Sequence, residues 1–209
     1  MKKDELKLIV TISIALATLI GVVYIAILDK RFNLTDGLKA ISFGITITTL
    51  FWAFYFSYGW KWWMLNKIFY RPNLSGTWSG TLKSDWEDEN GEKVGDIEFY
   101  LVIRQSFLRI HFTTFTNSFI GISYSETMAL KKETGLKNVA YLYRKETSQD
   151  DNEILQEGAT ELRLIDSNPK ELVGRYWSNQ KTNGKINVSF VSSEIVDSFN
   201  DAKSLKNNG

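Results

Sequence analysis

The sequence predicts a membrane-anchored all-β protein: two N-terminal transmembrane helices followed by an eight-stranded antiparallel up-and-down β-barrel. Three observations predict it. Two long runs, residues 8–28 and 38–58, carry no charge in their interiors. After Pro72 the hydrophobic pattern shortens to runs that alternate residue by residue. Those runs follow one another with only turn-rich segments between them, and no helix long enough for a βαβ crossover interrupts them.

The first run, "LIVTISIALATLIGVVYIAIL", ends in "DKR". At 1.5 Å per residue it is long enough to cross a hydrocarbon core about 30 Å thick. A cleaved signal peptide would have a shorter apolar region ending in small residues, so a retained anchor is expected. The second run, "LKAISFGITITTLFWAFYFSY", leads into Trp60, Trp62 and Trp63, interleaved with Lys61 and Lys67. Aromatics mixed with lysine mark the headgroup level, and Pro72 supplies the stop. Residues 1–71 are therefore expected to form a transmembrane hairpin with an interfacial aromatic segment.

Two spans place both termini on one side. Lys2, Lys3, Lys7, Lys61, Lys67 and Arg71 flank that side, against Lys30, Arg31 and Lys39 at the hairpin loop. The excess favours a cytoplasmic N-terminus and a cytoplasmic C-terminal domain. Residues 1–71 hold nine Lys/Arg against four Asp/Glu, a basic excess that can meet anionic lipid headgroups. No Asp, Glu, Lys or Arg lies mid-span, which argues against a proton relay or ion pump. Ser13, Ala17 and Gly21 share one face of the first helix; Ala40, Gly44 and Thr48 share one face of the second. Small residues four apart let helices approach closely in lipid. Two readings stand: packing of the two helices on each other, or contact between protomers.

Strands are expected over "SGTWSGTLK", "DIEFYLVIR", "LRIHFTTF", "FIGISYSETMAL", "NVAYLYR", "ATELRLID", "KELVGRYW" and "GKINVSFVS". In the second, Ile97, Phe99, Leu101 and Ile103 share a face; in the fourth, Ile120, Ile122, Tyr124 and Met128 are read as doing so. Closing eight strands removes the exposed edges and leaves an interior wide enough for side chains or one small ligand. In "GTWSG", Gly76 and Gly80 permit close backbone approach and Trp78 can plug one barrel end, as the Gly-x-Trp of lipocalins does. The barrel domain is placed at residues 72–194. The rest, 195–209, is polar and is expected to be a flexible tail.

Several functions are excluded. Residues 72–209 hold sixteen Lys/Arg against twenty Asp/Glu, so no general attraction for long nucleic acid is expected. The chain has no cysteine, and its one histidine, His111, sits in an alternating strand, so neither thiolate chemistry nor a His-rich metal site is expected. P-loop, nucleophile-elbow and His-Glu-x-x-His motifs are absent. The acidic runs Glu87-Asp88-Glu89 and Asp150-Asp151 read as solvated hairpin tips. Binding, not catalysis, is the expectation, with no cofactor. The polar and aromatic residues that interrupt the apolar faces are the binding candidates: Trp78, Thr114, Tyr124, Tyr143, Arg175 and Tyr176. Tyrosine and tryptophan stack on bases, arginine pairs with phosphate, and threonine fixes orientation.

Two membrane spans, then "RPNLSGTWSG", then "VIRQSFLRI", "AYLYR", "EGATELRL" and "LVGRYWSNQKTNGKINV" in that order resemble the two-transmembrane β-barrel effectors of bacterial CBASS antiphage systems. The resemblance covers nearly the whole chain. It implies that the barrel binds a cyclic dinucleotide made by a companion nucleotidyltransferase, and that the effector sits in the bacterial inner membrane. There it oligomerises and disrupts the membrane, killing the infected cell. The alternative is a membrane-tethered, lipocalin-like barrel carrying a lipid or other apolar molecule.

Overall fold

The computed structural model describes residues 3–27, 33–69, 71–87, 91–93, 95–131, 134–146 and 156–208. Lys2, Lys30 and Arg31 of the charge count, and Asp88, Glu89, Asp150 and Asp151 of the acidic runs, lie outside the described residues. The chain divides into two compact units: Met1–Pro72 with Ser106–Leu108, and Asn73–Gln105 with Arg109–Gly209.

The first unit holds helices α1 (Lys3–Ile27) and α2 (Leu34–Ser57), both long and apolar enough to cross a membrane. Asn33 caps α2, its side chain accepting from the Asp36 N–H at 2.8 Å. The small-residue faces meet inside the hairpin. Gly21, Ala40, Gly44 and Thr48 are buried. A Cβ on Gly44 would lie 2.5 Å from the Ala17 carbonyl oxygen, and one on Gly21 would touch that of Ala40 at 3.4 Å. Ser13 accepts a hydrogen bond from Trp52 Nε1 at 2.8 Å while donating to the Ile9 carbonyl. Within one chain these faces pack α1 on α2.

Two 3-10 turns, Gly59–Lys61 and Leu65–Lys67, follow α2. The aromatic belt expected here is split. Trp62 and Trp63 are exposed, but Trp60 is buried in a cluster with Trp52, Tyr55, Phe69 and Phe107. Arg71 closes this unit: it pairs with Glu5 at 3.3 Å, stacks on the Phe107 ring, and donates to the Phe107 carbonyl.

The second unit is a closed barrel of eight antiparallel strands in simple succession: β1 (Gly76–Ser84), β2 (Ile97–Gln105), β3 (Ile110–Phe115), β4 (Ile120–Lys131), β5 (Leu136–Glu146), β6 (Glu157–Ile165), β7 (Glu171–Ser178) and β8 (Asn183–Ser192). β8 pairs back onto β1 and completes the ring. Inward residues alternate as expected on most strands. Leu101, Ile103, Phe112, Leu162, Leu172 and Val188 are fully buried in one core. Trp78 belongs to it. Its indole N–H donates to the Leu74 carbonyl at 3.0 Å and its ring meets Phe190 edge-on, so it seals the end at which the chain enters β1.

β4 departs from simple alternation. Its pairing with β5 slips between Ser123 and Ser125. A bulge inserts one residue and inverts the inward–outward phase beyond it. Gly121 and Ser123 are buried before the bulge, and Met128 packs on the core after it. Tyr124 is left exposed on the outer wall, beneath the Arg144 guanidinium. The expected common face of Ile120, Ile122, Tyr124 and Met128 therefore does not exist.

The end of the chain differs from the flexible tail expected for 195–209. Phe199–Asn208 forms helix α3. Ser198 caps it, accepting from the Asp201 N–H at 3.1 Å while Asp201 reaches back. Val196, Phe199, Ala202 and Leu205 cover Tyr100, Val102 and Phe115, which face outward from β2 and β3. Lys203 and Lys206 pair with Glu98, and Arg104 pairs with Asp197. The Glu98 carboxyl is held below its usual range, first by the Tyr100 hydroxyl that donates to it at 2.7 Å. The polar residues of this segment are the solvent face of an amphipathic helix.

Candidate ligand-binding cavity

Up-and-down topology puts four hairpin turns, β1–β2, β3–β4, β5–β6 and β7–β8, at the barrel end opposite Trp78. A cavity of about 340 Å³ opens there. Its walls come from seven strands' worth of inward residues and from the turns that rim it.

Three tyrosines, with Phe99 of β2, supply the aromatic rings of the interior. Tyr141 and Tyr143 point inward from β5 and Tyr176 from β7. Glycine places two of them. Gly158 stands across from Tyr143, and a Cβ there would lie 2.5 Å from the Tyr143 hydroxyl. Gly184 stands across from Tyr176, and a Cβ there would lie 2.5 Å from its ring. Each ring lies against a neighbouring strand because that strand has no side chain in the way. Phe112 stacks on Tyr141 with centroids 4.4 Å apart and fixes that ring too. Burial pushes both the Tyr141 and Tyr143 phenols up, so they stay protonated.

The rim is polar. Ser178 and Thr182 bond to each other at 2.7 Å across the β7–β8 turn, where Lys181 has φ +58°. Gln156 and Gln180 line the mouth beside them, and Trp86 and Phe119 add exposed and half-buried rings. Lys145 follows Tyr141 and Tyr143 on the inward face of β5, its Nζ 4.0 Å from the Phe119 ring centroid. Desolvation by burial lowers its pKa. Among the described residues it is the one charged side chain in the lining, and no carboxylate joins it. A half-desolvated ammonium among neutral donors suits an anion with planar, stackable parts. Among the described residues no group of His, Cys, Asp and Glu could hold a metal ion.

The family model for the Cap15 cyclic dinucleotide receptor domain matches residues 69–189, the connector into β1 and nearly the whole barrel. The chain belongs to the Cap15 cyclic dinucleotide receptor family. It is similar to CD-NTase-associated protein 15 of Escherichia albertii, 28% identical over 160 residues that cover 74% of this chain and 79% of the relative. It is also similar to CD-NTase-associated protein 15 of Staphylococcus schleiferi, 23% identical over 148 residues, covering 71% and 77%. The resemblance to CBASS effectors is thereby borne out.

Half of the expected contacts of this Cap15-family barrel come together. Thr114, Tyr143 and Tyr176 line the cavity. Trp78, Tyr124 and Arg175 do not, each for a different reason. Trp78 is consumed by the closed end. Tyr124 is turned out by the β4 bulge. Arg175 alternates with the inward Gly174 and Tyr176, so strand parity alone sends it to the exposed outer wall, across from Glu161 and Lys185. His111 sits half-exposed between Ser123 and Glu126, 3.1 and 3.0 Å from them, and takes no part in the lining. Tyr141, which shares a strand face with Tyr143, joins the lining, while Lys145, Thr160, Ser178 and Thr182 were missed. Parity carried the signal for Lys145: Tyr141, Tyr143 and Lys145 fall on one face of one strand.

Proposed function

We propose that the barrel cavity binds a cyclic dinucleotide made by a companion nucleotidyltransferase, and that binding switches on a two-span membrane effector. The observation that carries this reading is the lining: stackable tyrosines and hydroxyl donors around one lysine, with no described carboxylate. A carrier of lipid would present a nearly all-apolar interior, so the lipocalin-like alternative is disfavoured. Among the described residues of the lining nothing pairs a nucleophile with a base, which supports a receptor without catalysis.

On this reading α1 and α2 span the inner membrane with both termini in the cytoplasm, where the ligand is made. The occupied barrel oligomerises, and raising the local concentration of the helical hairpins lets weak contacts between them act. The bilayer is compromised and the infected cell dies. The small-residue faces already serve within each hairpin, so contact between hairpins falls to their outward apolar surfaces.

Thermal unfolding of the full chain in detergent, screened against cyclic dinucleotides of every base combination, tests the first step. A ligand present at about a hundred times its Kd raises stability by roughly 2.7 kcal/mol. Dye uptake by cells expressing the chain together with a cyclase tests the last. A screen in which no cyclic dinucleotide shifts the transition would overturn the proposal.

A further inference from the structure

The polar groups of the cavity are layered by depth. Lys145, Gln156, Gln180 and the Ser178–Thr182 pair belong to the rim. Tyr141 and Thr160, paired across β5 and β6, lie at the floor, and both are almost wholly buried. Four hydroxyls of the lining are engaged within the protein: Ser178 with Thr182, Thr114 with the Gly121 carbonyl, and Ser84 as acceptor from the Trp86 N–H. The Tyr141 hydroxyl is wholly buried and unmet. It has no hydrogen-bond partner of proper geometry, although the Thr160 hydroxyl is close enough to act on it. Phe112 stacks on its ring, so it cannot swing away to find one. A buried hydroxyl left unmet is costly, and it marks where a partner group belongs.

Size and charge decide which part of a ligand reaches it. At about 340 Å³ the cavity stands at the small end of the roughly 300–1,000 Å³ typical of pockets for drug-sized ligands. A cyclic dinucleotide is larger than such ligands, so only part of it can enter. The phosphodiesters are charged, and among the described residues the one charged group of the lining, Lys145, is at the rim. The neutral part that can enter is a base.

Resting on the cyclic dinucleotide reading of the cavity, we infer that the ligand is held asymmetrically: one base descends to the floor, where Tyr141 and Thr160 read its polar edge, while a phosphodiester stays at the rim with Lys145 and the second base rests outside against Trp86. Tyr143 and Tyr176, propped on Gly158 and Gly184, then flank the buried base. Tyr141 is a specificity residue, because a base whose edge leaves its hydroxyl unmet is rejected more strongly than one that merely fills the space badly.

The test uses the full chain in detergent and isothermal titration with cyclic dinucleotides carrying all combinations of the four bases, for the native chain, Tyr141→Phe, Thr160→Val and the outer-wall variant Arg175→Ala. Both cavity variants keep volume and remove a hydroxyl group, and a melting curve checks each fold. In the native chain, changing one base is expected to cost about tenfold or more and changing the other no more than about threefold. In Tyr141→Phe the ratio between the best ligand and its single-base variants should shrink by about tenfold, with the melting temperature unchanged or raised. Arg175→Ala should leave every ratio alone. Ratios unchanged in both Tyr141→Phe and Thr160→Val would overturn the floor's role, and equal penalties for changing either base would overturn the asymmetry. A native chain that binds no member of the panel would instead overturn the cyclic dinucleotide reading itself.

Discussion

Replacing Lys145 by methionine removes one charge and keeps the length of the side chain. No other described group in the lining can take over that charge. A hydrogen bond to a charged group contributes about 1.5–3 kcal/mol. Lys145 is half-buried at the rim, so solvent screening argues for the lower part of that range, or roughly ten- to thirtyfold in Kd. Stability should move the other way, if at all. Burial depresses the folded-state pKa of Lys145 below its ordinary 10.5. Between the depressed value and 10.5 the unfolded chain therefore holds more protons than the folded one. The stability cost is fully present below that window and is relieved as pH rises through it. Methionine has no such cost, so Lys145→Met should melt no lower than the native chain.

Binding has the opposite dependence: a phosphate beside Nζ raises its pKa again. The complex then takes up a proton in the window between the free and bound values, and affinity falls as pH rises through it. Titration calorimetry from neutral pH up to the ordinary lysine value of 10.5, in buffers of differing protonation enthalpy, reads both Kd and proton uptake. The native chain should show uptake and weaker binding at the alkaline end; Lys145→Met should show neither trend. An affinity within about twofold of native, with the same pH profile, would refute the assignment of Lys145 as the phosphate anchor.

Three further outcomes follow from the packing. Gly184→Val sets a side chain against both the Tyr176 ring and the Lys83 carbonyl; it should cost about 1–3 kcal/mol in thermal stability and displace Tyr176, so that binding weakens as well. Gly44→Leu forces α2 off the Ala17 backbone; the full chain in detergent should lose helical-hairpin stability, seen as faster proteolysis, while ligand affinity is unchanged. Ala202→Asp puts a carboxylate against Tyr100, Val102 and Phe115; α3 should detach, and limited trypsin treatment should then cut after Lys203 and Lys206, within α3, faster than in the native chain while the barrel stays intact.

Legibility in this chain follows the range of the physical signal. The strands could be read because alternation is a local pattern repeated eight times, and because closing an uninterrupted antiparallel series is the simplest way to dispose of its edges. The α1–α2 seam could be read as residues but not as a choice of partner. Spacing shows that Gly44 permits close approach, and only the fold shows that Ala17 is what approaches. α3 was legible in principle from "SFND", a serine with an acidic residue three positions on, followed by Phe199, Ala202 and Leu205 at helical spacing. Its low overall hydrophobicity hid it, because a helix that covers three side chains needs little apolar surface of its own.

The binding residues divide along the same line. Parity on one strand is enough to join Tyr141, Tyr143 and Lys145, and it is enough to expel Arg175 once Gly174 and Tyr176 are known to face inward. An arginine between aromatics is chemically the better phosphate ligand, yet strand geometry outranks chemistry: a side chain on the wrong face of a closed barrel cannot reach the inside. The β4 bulge breaks parity by a single residue and carries Tyr124 out with it, and no local pattern in "GISYSETM" announces that slip. Depth is harder still. Thr160 and Thr114 are the same residue type at inward positions, but one joins an unmet phenol at the floor and the other is spent on a strand carbonyl. That difference comes from the pairing register between neighbouring strands, which no pattern within one strand announces, and it separates a polar core position from one held open for a ligand.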